Sequence, residues 1–169
     1  MLSLVDIDII NGDSLAPAIF FDLTHTLLGK TDGEYHLYSD TLDTLKALRE
    51  RGYRLGVISN LSLDVTEDEV HAFLEECSIA SFIESDLIIF SSEHPESIKK
   101  PDKRIFDLAL EKGELAGAAG SPIFVTEEHD HILAARCYGW RAILKRNWGE
   151  CRPEDGECVH SLSELLRLL

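Results

Sequence analysis

The sequence has few positive charges and no long apolar run, and each shortage excludes a class of protein. Only 16 of its 169 residues are Lys or Arg, against 31 that are Asp or Glu, which gives a net charge of −15 at pH 7. A field of that sign repels phosphate backbones and anionic lipid surfaces, so we expect neither nucleic acid nor membrane among the partners. No apolar run approaches the ~20 residues that a membrane-spanning helix needs.

Cysteine is also scarce, and the four cysteines have no CxxC spacing. Cys77 and Cys137 lie in apolar patterns, where buried thiols are ordinary. Cys151 and Cys158 flank the stretch RPEDGE and could form a disulfide in an oxidising compartment. The opening stretch MLSLVDIDIINGD, however, lacks the basic region and the long apolar core of a signal peptide. We therefore expect reduced cysteines and a cytoplasmic protein.

Apolar strands alternate with segments of helical period, which is the pattern of a parallel sheet covered by helices on both faces. The length of 169 residues predicts one domain, with residues 17–169 as the core and residues 1–16 as an N-terminal extension or edge strand. The predicted core strands are residues 18–23, 54–60, 86–92, 122–126 and 141–145. The predicted helices are residues 41–51, 66–77, 102–112 and 131–138, followed by a closing helix in SLSELLRLL. The stretch TEDE is a capping box for the second helix.

Polar residues follow the predicted strands at their carboxyl ends, the edge at which ligands bind in open α/β sheets. This set consists of Asp22, Ser59, Asn60, Lys99, Lys100, Thr126, Glu127 and Glu128. Such a set suits a phosphoryl group, because hydroxyl and backbone amide groups would bind its oxygens and a lysine would offset its charge. Carboxylates would hold a magnesium ion beside it.

Four stretches resemble the ordered motifs of the haloacid dehalogenase (HAD) superfamily: FFDLTHTLL, VISN, KKPDKRIFDLALEK and IFVTEEHDHILAARCYGW. The resemblance covers the chain from about residue 17 to the end. It implies an α/β fold, a Rossmann-like three-layer αβα sandwich with a five-stranded parallel core sheet. Only short segments, residues 28–38 and 61–99, occupy the places where the family inserts a cap, so we expect no large cap domain. An open site implies a large substrate, a protein partner that completes the lid, or low selectivity.

The resemblance implies a role for each matching residue. Asp22 would be the nucleophile that forms an aspartyl-phosphate. Ser59 and Asn60 would bind the phosphoryl oxygens, and Lys100 would bridge the phosphoryl group and Asp22. The implied magnesium ligands are Asp22, Thr24 through its backbone carbonyl, and Glu127.

Several positions depart from the family pattern. Thr24 replaces a second aspartate, which in family phosphatases protonates the leaving alcohol and activates water, a contribution typically worth ~10²–10⁴ in rate. P-type ATPases also have Thr at this position, which implies a longer-lived aspartyl-phosphate. Thr126 replaces a glycine, Glu127 is one methylene longer than the usual aspartate, and His131 replaces the Asp of many relatives. Because Mg²⁺ tolerates little displacement from octahedral geometry, these changes predict a weakened or reshaped metal site.

His25, His129 and His131 also fall near this edge, and imidazole suits zinc or another transition metal better than magnesium. No tight framework with a third ligand is evident beyond His129 and His131, so we interpret these residues as surface histidines. His25 follows Thr24 directly and could reach the leaving group to supply a proton.

Two functions fit these residues. The first is a capless phosphomonoester phosphatase that works through Asp22 and is attenuated by Thr24; the retention of Ser59 and Lys100 favours it. The second is a non-catalytic domain, a pseudophosphatase, that binds a ligand or a protein in the same cleft; the changes at Thr24 and in the fourth motif favour it. Carbon–halogen hydrolysis needs no protonation of the leaving group but normally relies on a cap, so we expect it least.

Overall fold

A parallel sheet forms the centre of the fold in the computed structural model, which describes residues 17–93, 96, 98–116, 118 and 120–169. The strands are β1 (Ala18–Phe21), β2 (Leu28–Thr31), β3 (Glu34–Leu37), β4 (Arg54–Ser59), β5 (Ile88–Phe90), β6 (Ile123–Thr126), β7 (Arg141–Lys145) and β8 (Cys158–Val159). Six of them pair in the order β5-β4-β1-β6-β7-β8, with all neighbours parallel, while β2 and β3 form a separate antiparallel hairpin.

The sheet is buried on both faces, which explains why its strands are apolar runs. In β1, Ile19 and Phe21 belong to one buried cluster, whereas Ala18 and Phe20 belong to the cluster on the opposite face. Successive side chains of a strand point to opposite faces, so a strand covered on both sides has no polar alternation. The predicted parallel α/β architecture is therefore confirmed.

The helices cover the sheet in two layers. They are α1 (Thr41–Glu50), α2 (Glu67–Glu76), α3 (Lys103–Lys112), α4 (His129–Cys137) and α5 (Leu165–Leu168). Buried apolar residues of α1, α2 and α5 belong to one core cluster, and those of α3 and α4 belong to the other. The predicted capping box is present at the start of α2. No helix in the described part of the chain is long and apolar enough to cross a bilayer.

The strand count differs from the prediction, because the sheet has six strands rather than five. The five predicted strands are all present, and the sixth is β8, whose two residues pair with Leu144 and Lys145. Two residues are too few to give a sequence period, so only the tertiary pairing reveals this strand. The possible edge strand in residues 1–16 lies outside the described residues.

The prediction of four reduced cysteines is wrong, because Cys151 and Cys158 form a disulfide. The chain reverses between them through a 3-10 turn at Pro153–Asp155 and then Gly156, whose φ of 68° lies in the left-handed region that favours glycine. This reversal brings the two cysteine Cα atoms to 5.9 Å, within the usual range for a disulfide. Cys77 and Cys137 are free thiols, and Cys137 is exposed rather than buried.

Only small elements stand where a cap would be inserted. Within the described residues, the hairpin β2–β3 separates β1 from α1, and α2, short 3-10 turns and β5 separate β4 from the loop that carries Lys100. The carboxyl edge of the sheet therefore lies beneath one hairpin and one helix, as expected for a fold without a large cap domain.

Candidate active site

Asp22 lies directly after β1, at the carboxyl end of a strand that has β4 on one side and β6 on the other. Its Oδ2 is 2.6 Å from Nζ of Lys100, and its Oδ1 accepts a hydrogen bond from the backbone N–H of Leu23 at 2.9 Å. The exposed fraction of the side chain is 13% for Asp22 and 1% for Lys100. A buried ion pair offsets its desolvation cost only with good geometry and further hydrogen bonds, and both are present here.

Lys100 is held by more than its carboxylate partner. Its ammonium group donates a hydrogen bond to the carbonyl oxygen of Ile58 at 2.7 Å and lies 5.4 Å from the centre of the Phe124 ring. Burial lowers the pKa of Lys100, while the charges of Asp22 and Glu128 act in the opposite direction. The fold thus fixes one cationic group at a single point beside the candidate nucleophile.

Asn60 fixes the loop that carries this lysine. Its Nδ2 donates to the backbone carbonyl of Lys100 at 3.0 Å, and its Oδ1 accepts from the backbone N–H of Lys100 at 2.8 Å. Both polar ends of the amide are therefore engaged by the lysine loop. The structure gives Asn60 a positioning role, and its binding to phosphate stays a prediction.

Ser59 and Thr24 adjoin Asp22 on the side of β4. Ser59 ends β4 and is buried, and its side chain lines the same pocket as Thr24 and Leu23. Because β4 pairs in parallel with β1, the ends of the two strands meet at one edge of the sheet. The structure thus places Ser59 and Asp22, at the ends of neighbouring strands, on the same edge of the sheet.

Thr126 and His131 adjoin Asp22 on the side of β6. The Thr126 hydroxyl donates to Oδ2 of Asp22 at 3.2 Å and accepts from the backbone N–H of Glu128 at 3.2 Å. Nδ1 of His131 lies 3.9 Å from the same Oδ2, and this buried nitrogen has no hydrogen-bond partner among the described residues. Burial and the charge of Lys100 lower the pKa of His131. The sequence placed Thr126 at this edge and as the replacement of a glycine, but it did not predict the contact of its hydroxyl with Asp22.

Glu127 is half-buried close to Asp22. Desolvation raises the pKa of Glu127, and the charges of Glu128 and Asp22 raise it further, whereas His25 and Lys145 lower it. The carboxyl groups of Glu127 and Asp22 are thus near enough to repel each other when both are ionised. A divalent cation between them would relieve that repulsion.

The predicted oxygen ligands suit magnesium, which keeps several waters, better than they suit a metal ion held by protein ligands alone. No group of three or more His, Cys, Asp and Glu side chains is placed to hold a metal ion within the residues that the structure describes. Magnesium is usually bound by one or two carboxylates and keeps several waters, so the predicted ligands, Asp22, Glu127 and the carbonyl of Thr24, are of the type that it takes. The histidines do not converge, since His129 Nδ1 lies 3.7 Å from Asp155 and His131 faces Asp22.

A second buried lysine, which the sequence analysis missed, holds the loop after Asp22. Nζ of Lys145 lies 3.8 Å from the centre of the Tyr38 ring and hydrogen-bonds to Oδ1 of Asn147. Asn147 donates to the carbonyl oxygen of His25 at 2.8 Å, and His25 has a φ of 62°, in the left-handed region. A lysine that ends an apolar strand was the only signal in the sequence. This contact network fixes the backbone next to Thr24.

A parallel α/β fold with a buried aspartate–lysine pair at its carboxyl edge defines a protein with a candidate carboxylate nucleophile. Residues 19–144 match the family of haloacid dehalogenase-like hydrolases, and this match covers well over half of the chain. The chain therefore belongs to that family.

Similar proteins agree with this family. The chain is 30% identical over 132 residues to phosphatase MT3486 of Mycobacterium tuberculosis. The matched region covers 78% of this chain and 55% of that protein. The chain thus spans about half the length of this curated relative. An uncharacterized protein from Listeria monocytogenes serotype 4b is 23% identical with a TM-score of 0.68, covering 90% of this chain and 97% of that one. CbbY from Rhodobacter sphaeroides, in complex with xylulose-(1,5)bisphosphate, is 16% identical with a TM-score of 0.64, covering 89% and 96%. These two structures show a shared fold alone.

Proposed function

We propose that this chain is a phosphomonoester phosphatase that works through an aspartyl-phosphate on Asp22. The observation that carries the proposal is the buried pair of Asp22 and Lys100, 2.6 Å apart at the carboxyl edge of the sheet. Membership of a hydrolase family and similarity to a phosphatase support it. The substrate is a phosphorylated molecule, large or small, because no large cap domain lies over the site in the described part of the chain. A cytoplasmic location, and a lack of nucleic acid and membrane partners, stay predictions from the sequence.

The reaction has two displacement steps at phosphorus. In the first, a carboxylate oxygen of Asp22 forms a bond to phosphorus while the bond to the ester oxygen breaks, and the leaving alkoxide takes a proton from water. In the second, a water oxygen forms a bond to phosphorus while the bond from phosphorus to the Asp22 oxygen breaks. The attacking water gives a proton to solvent, phosphate leaves, and the carboxylate is restored. Lys100 offsets the negative charge of the phosphoryl group, and the Ser59 hydroxyl binds one of its oxygens.

Magnesium, held by Asp22, Glu127 and the carbonyl of Thr24, would supply additional positive charge to the phosphoryl oxygens. The Thr24 side chain cannot release or take up a proton at neutral pH as a carboxyl group does. A substrate with a poor leaving group therefore lacks its acid catalyst, so hydrolysis is attenuated and depends on how readily the leaving group departs.

Hydrolysis of p-nitrophenyl phosphate tests the proposal, because its leaving group needs no proton. We expect weak turnover by the wild type and none by Asp22→Asn, with the fold of each variant checked by circular dichroism. Asp64→Asn is the matched control, since Asp64 is an exposed carboxylate outside the site, and it should retain the wild-type rate. An absence of Asp22-dependent turnover with every divalent metal ion would overturn the proposal.

A non-catalytic binding domain is the second candidate. The observation that favours it is the double engagement of Asp22 Oδ2 by Lys100 and by the Thr126 hydroxyl, beside a Thr24 that offers no acid. Such a domain would bind a phosphorylated ligand or a protein partner without turnover. Beryllium fluoride with magnesium distinguishes the candidates: stabilisation of the wild type by this phosphate mimic without any hydrolysis of aryl phosphates would favour the binding domain.

A further inference from the structure

A pocket of about 290 Å³ opens beside Thr24 and Ser59, and it is separate from the charged pair of Asp22 and Lys100. It is lined from the hairpin β2–β3 by Tyr35 and from α2 by Phe73. The remaining walls are leucine and valine side chains, apart from one glutamate at the start of α2. An apolar pocket therefore adjoins the place where the phosphoryl group is proposed to bind.

The position of the pocket decides which part of a substrate could enter it. Thr24 is two residues after the candidate nucleophile, and Ser59 ends the strand that pairs with β1. An ester whose phosphoryl group lies between Asp22 and Ser59 must direct its organic group away from the sheet. Thr24 and Ser59 both line the pocket, so the pocket is placed to receive the organic group.

The chemistry of the walls favours an uncharged apolar group. The rings of Tyr35 and Phe73 lie edge to face with 5.7 Å between their centres, which offers an aromatic guest further edge and face contacts. The one charged wall residue is Glu69, and its carboxylate accepts hydrogen bonds from the N–H and the hydroxyl of Thr66 at 2.8 and 2.9 Å. No Lys or Arg lines this part of the described structure. A distal phosphate or carboxylate would meet apolar walls and a like charge, which disfavours it.

The volume matches a ring with a short substituent. An apolar cavity of about 150 Å³ is large enough for benzene, and pockets for small ligands usually begin at about 300 Å³. We infer that the substrates of this chain are phosphomonoesters of uncharged aryl or alkyl alcohols, whose apolar group binds against Tyr35 and Phe73. This inference rests on the proposed function, and it separates the chain from a structural relative that binds a sugar bisphosphate.

Two matched substrates test the preference. 4-Propylphenyl phosphate and 4-(2-carboxyethyl)phenyl phosphate have similar leaving groups and similar size, but only the second carries a distal charge. We expect kcat/KM to be at least tenfold higher for the propyl compound, mainly through KM, because the pocket binds the ground state and transition state alike. Equal kcat/KM values, or a preference for the charged compound, would overturn the inference while leaving the proposed function intact.

Two neighbouring apolar residues provide the matched variants. Val65 lines the pocket, whereas Leu63 is 66% exposed and lies outside it. Val65→Asn should raise KM for the propyl compound about five- to tenfold and leave the charged compound nearly unchanged. Leu63→Asn should alter neither substrate. A Val65→Asn variant that binds the propyl compound as the wild type does would contradict the assignment of the pocket.

A binding measurement separates failure of the inference from failure of the proposed function. 4-Propylphenol is titrated into the wild type and both variants by calorimetry, which needs no turnover. We expect the wild type and Leu63→Asn to bind it about five- to tenfold more tightly than Val65→Asn does. If no ester is hydrolysed, the proposed function fails, and this titration alone decides the pocket: equal binding by all three proteins overturns it.

Discussion

The two sides of Asp22 are built differently. On the side of β4, Lys100 is fully buried, its Nζ contacts Asp22 and a backbone carbonyl, and Asn60 fixes its loop with two hydrogen bonds. On the side of β6, Glu127 is only half-buried, and His131 has an unpaired buried nitrogen among the described residues. On the β4 side, close contacts fix the lysine that balances the charge of Asp22. On the β6 side, which is proposed to hold the metal ion, the polar groups are less fully paired.

Energetics explain why the two sides differ in their tolerance of change. Removal of one partner from a buried ion pair costs about 3–5 kcal/mol, because the remaining charge stays buried without compensation. Replacement of a half-buried carboxylate, by contrast, alters stability by about 1 kcal/mol or less. Substitutions can therefore accumulate on the β6 side while the fold and the nucleophile persist. For the proposed phosphatase, the comparison predicts that binding of a phosphoryl group and its turnover are separable in this site.

The largest expected effect comes from breaking the β4 side. Lys100→Met should destabilise the fold by about 3–5 kcal/mol, since Asp22 loses its buried partner, and should abolish hydrolysis of p-nitrophenyl phosphate. Urea unfolding measures the first effect. Lys99→Met is the control, because Lys99 is the exposed neighbour and should leave both quantities unchanged. The double variant Asp22→Asn with Lys100→Met should recover part of the lost stability, and no recovery would mean that the pair is not the cause.

The next effect comes from restoring a carboxyl group at Thr24. Thr24→Asp should raise turnover of an alkyl phosphate by up to ~10²–10⁴, provided that the new carboxyl group reaches the leaving oxygen. The rate with p-nitrophenyl phosphate should change much less, because that leaving group needs no proton. Thr24→Asn introduces a side chain of the same shape as Asp but without a carboxyl group, so it should not raise turnover. If Thr24→Asp is as inert as Thr24→Asn, the missing acid does not limit this site.

A smaller effect tests the hydroxyl that reaches Asp22 from the β6 side. Thr126→Val should reduce the free energy of unfolding by about 1–3 kcal/mol, since it removes a hydrogen bond to a charged carboxylate and one from a backbone N–H. Thr44→Val is the matched control, because the buried Thr44 hydroxyl has no hydrogen-bond partner in the described residues. Urea unfolding should show little change for it. Equal losses for both variants would show that methyl packing, not hydrogen bonding, sets the cost.

The fold could be predicted because its signals are local. The four residues of β1 are buried on both faces, so they read as one apolar run, and the capping box at the start of α2 is a four-residue pattern. The family resemblance implied that Lys100 meets Asp22, and the rule that the carboxyl ends of parallel strands share one edge placed the loop of Lys100 at the same edge. Local pattern and strand order together were sufficient for these features.

The features that sequence could not supply depend on distant contacts. Thr126 reaches Asp22 across 104 positions of the chain, and only the register of β6 beside β1 brings its hydroxyl to Oδ2. Asn60 makes two hydrogen bonds to the backbone of Lys100, which its place in a motif does not reveal. The disulfide depends on a turn that only the folded chain defines. Residue types were predictable here, whereas the partner of each side chain was not.

The smallest expected effect concerns the carboxyl group of Glu127 and separates repulsion from metal binding. Desolvation and the charges of Glu128 and Asp22 raise the pKa of Glu127, so the folded chain holds this proton more tightly than the unfolded chain does. With magnesium removed by EDTA, the stability of the wild type should therefore fall as the pH rises through the raised pKa. Glu127→Gln should not show this loss. At neutral pH its melting temperature should exceed that of the wild type by at most about 2–4 °C. Addition of magnesium should reverse the order, because an ion that binds only the folded state stabilises it and the variant lacks one of the groups that would bind the ion.

Glu67→Gln removes a carboxylate whose side chain is 70% exposed, and it should follow the wild type in both buffers. Equal stabilisation of the wild type and Glu127→Gln by magnesium would show that the β6 side does not hold the ion, and the difference between the two sides of Asp22 would then be one of packing alone.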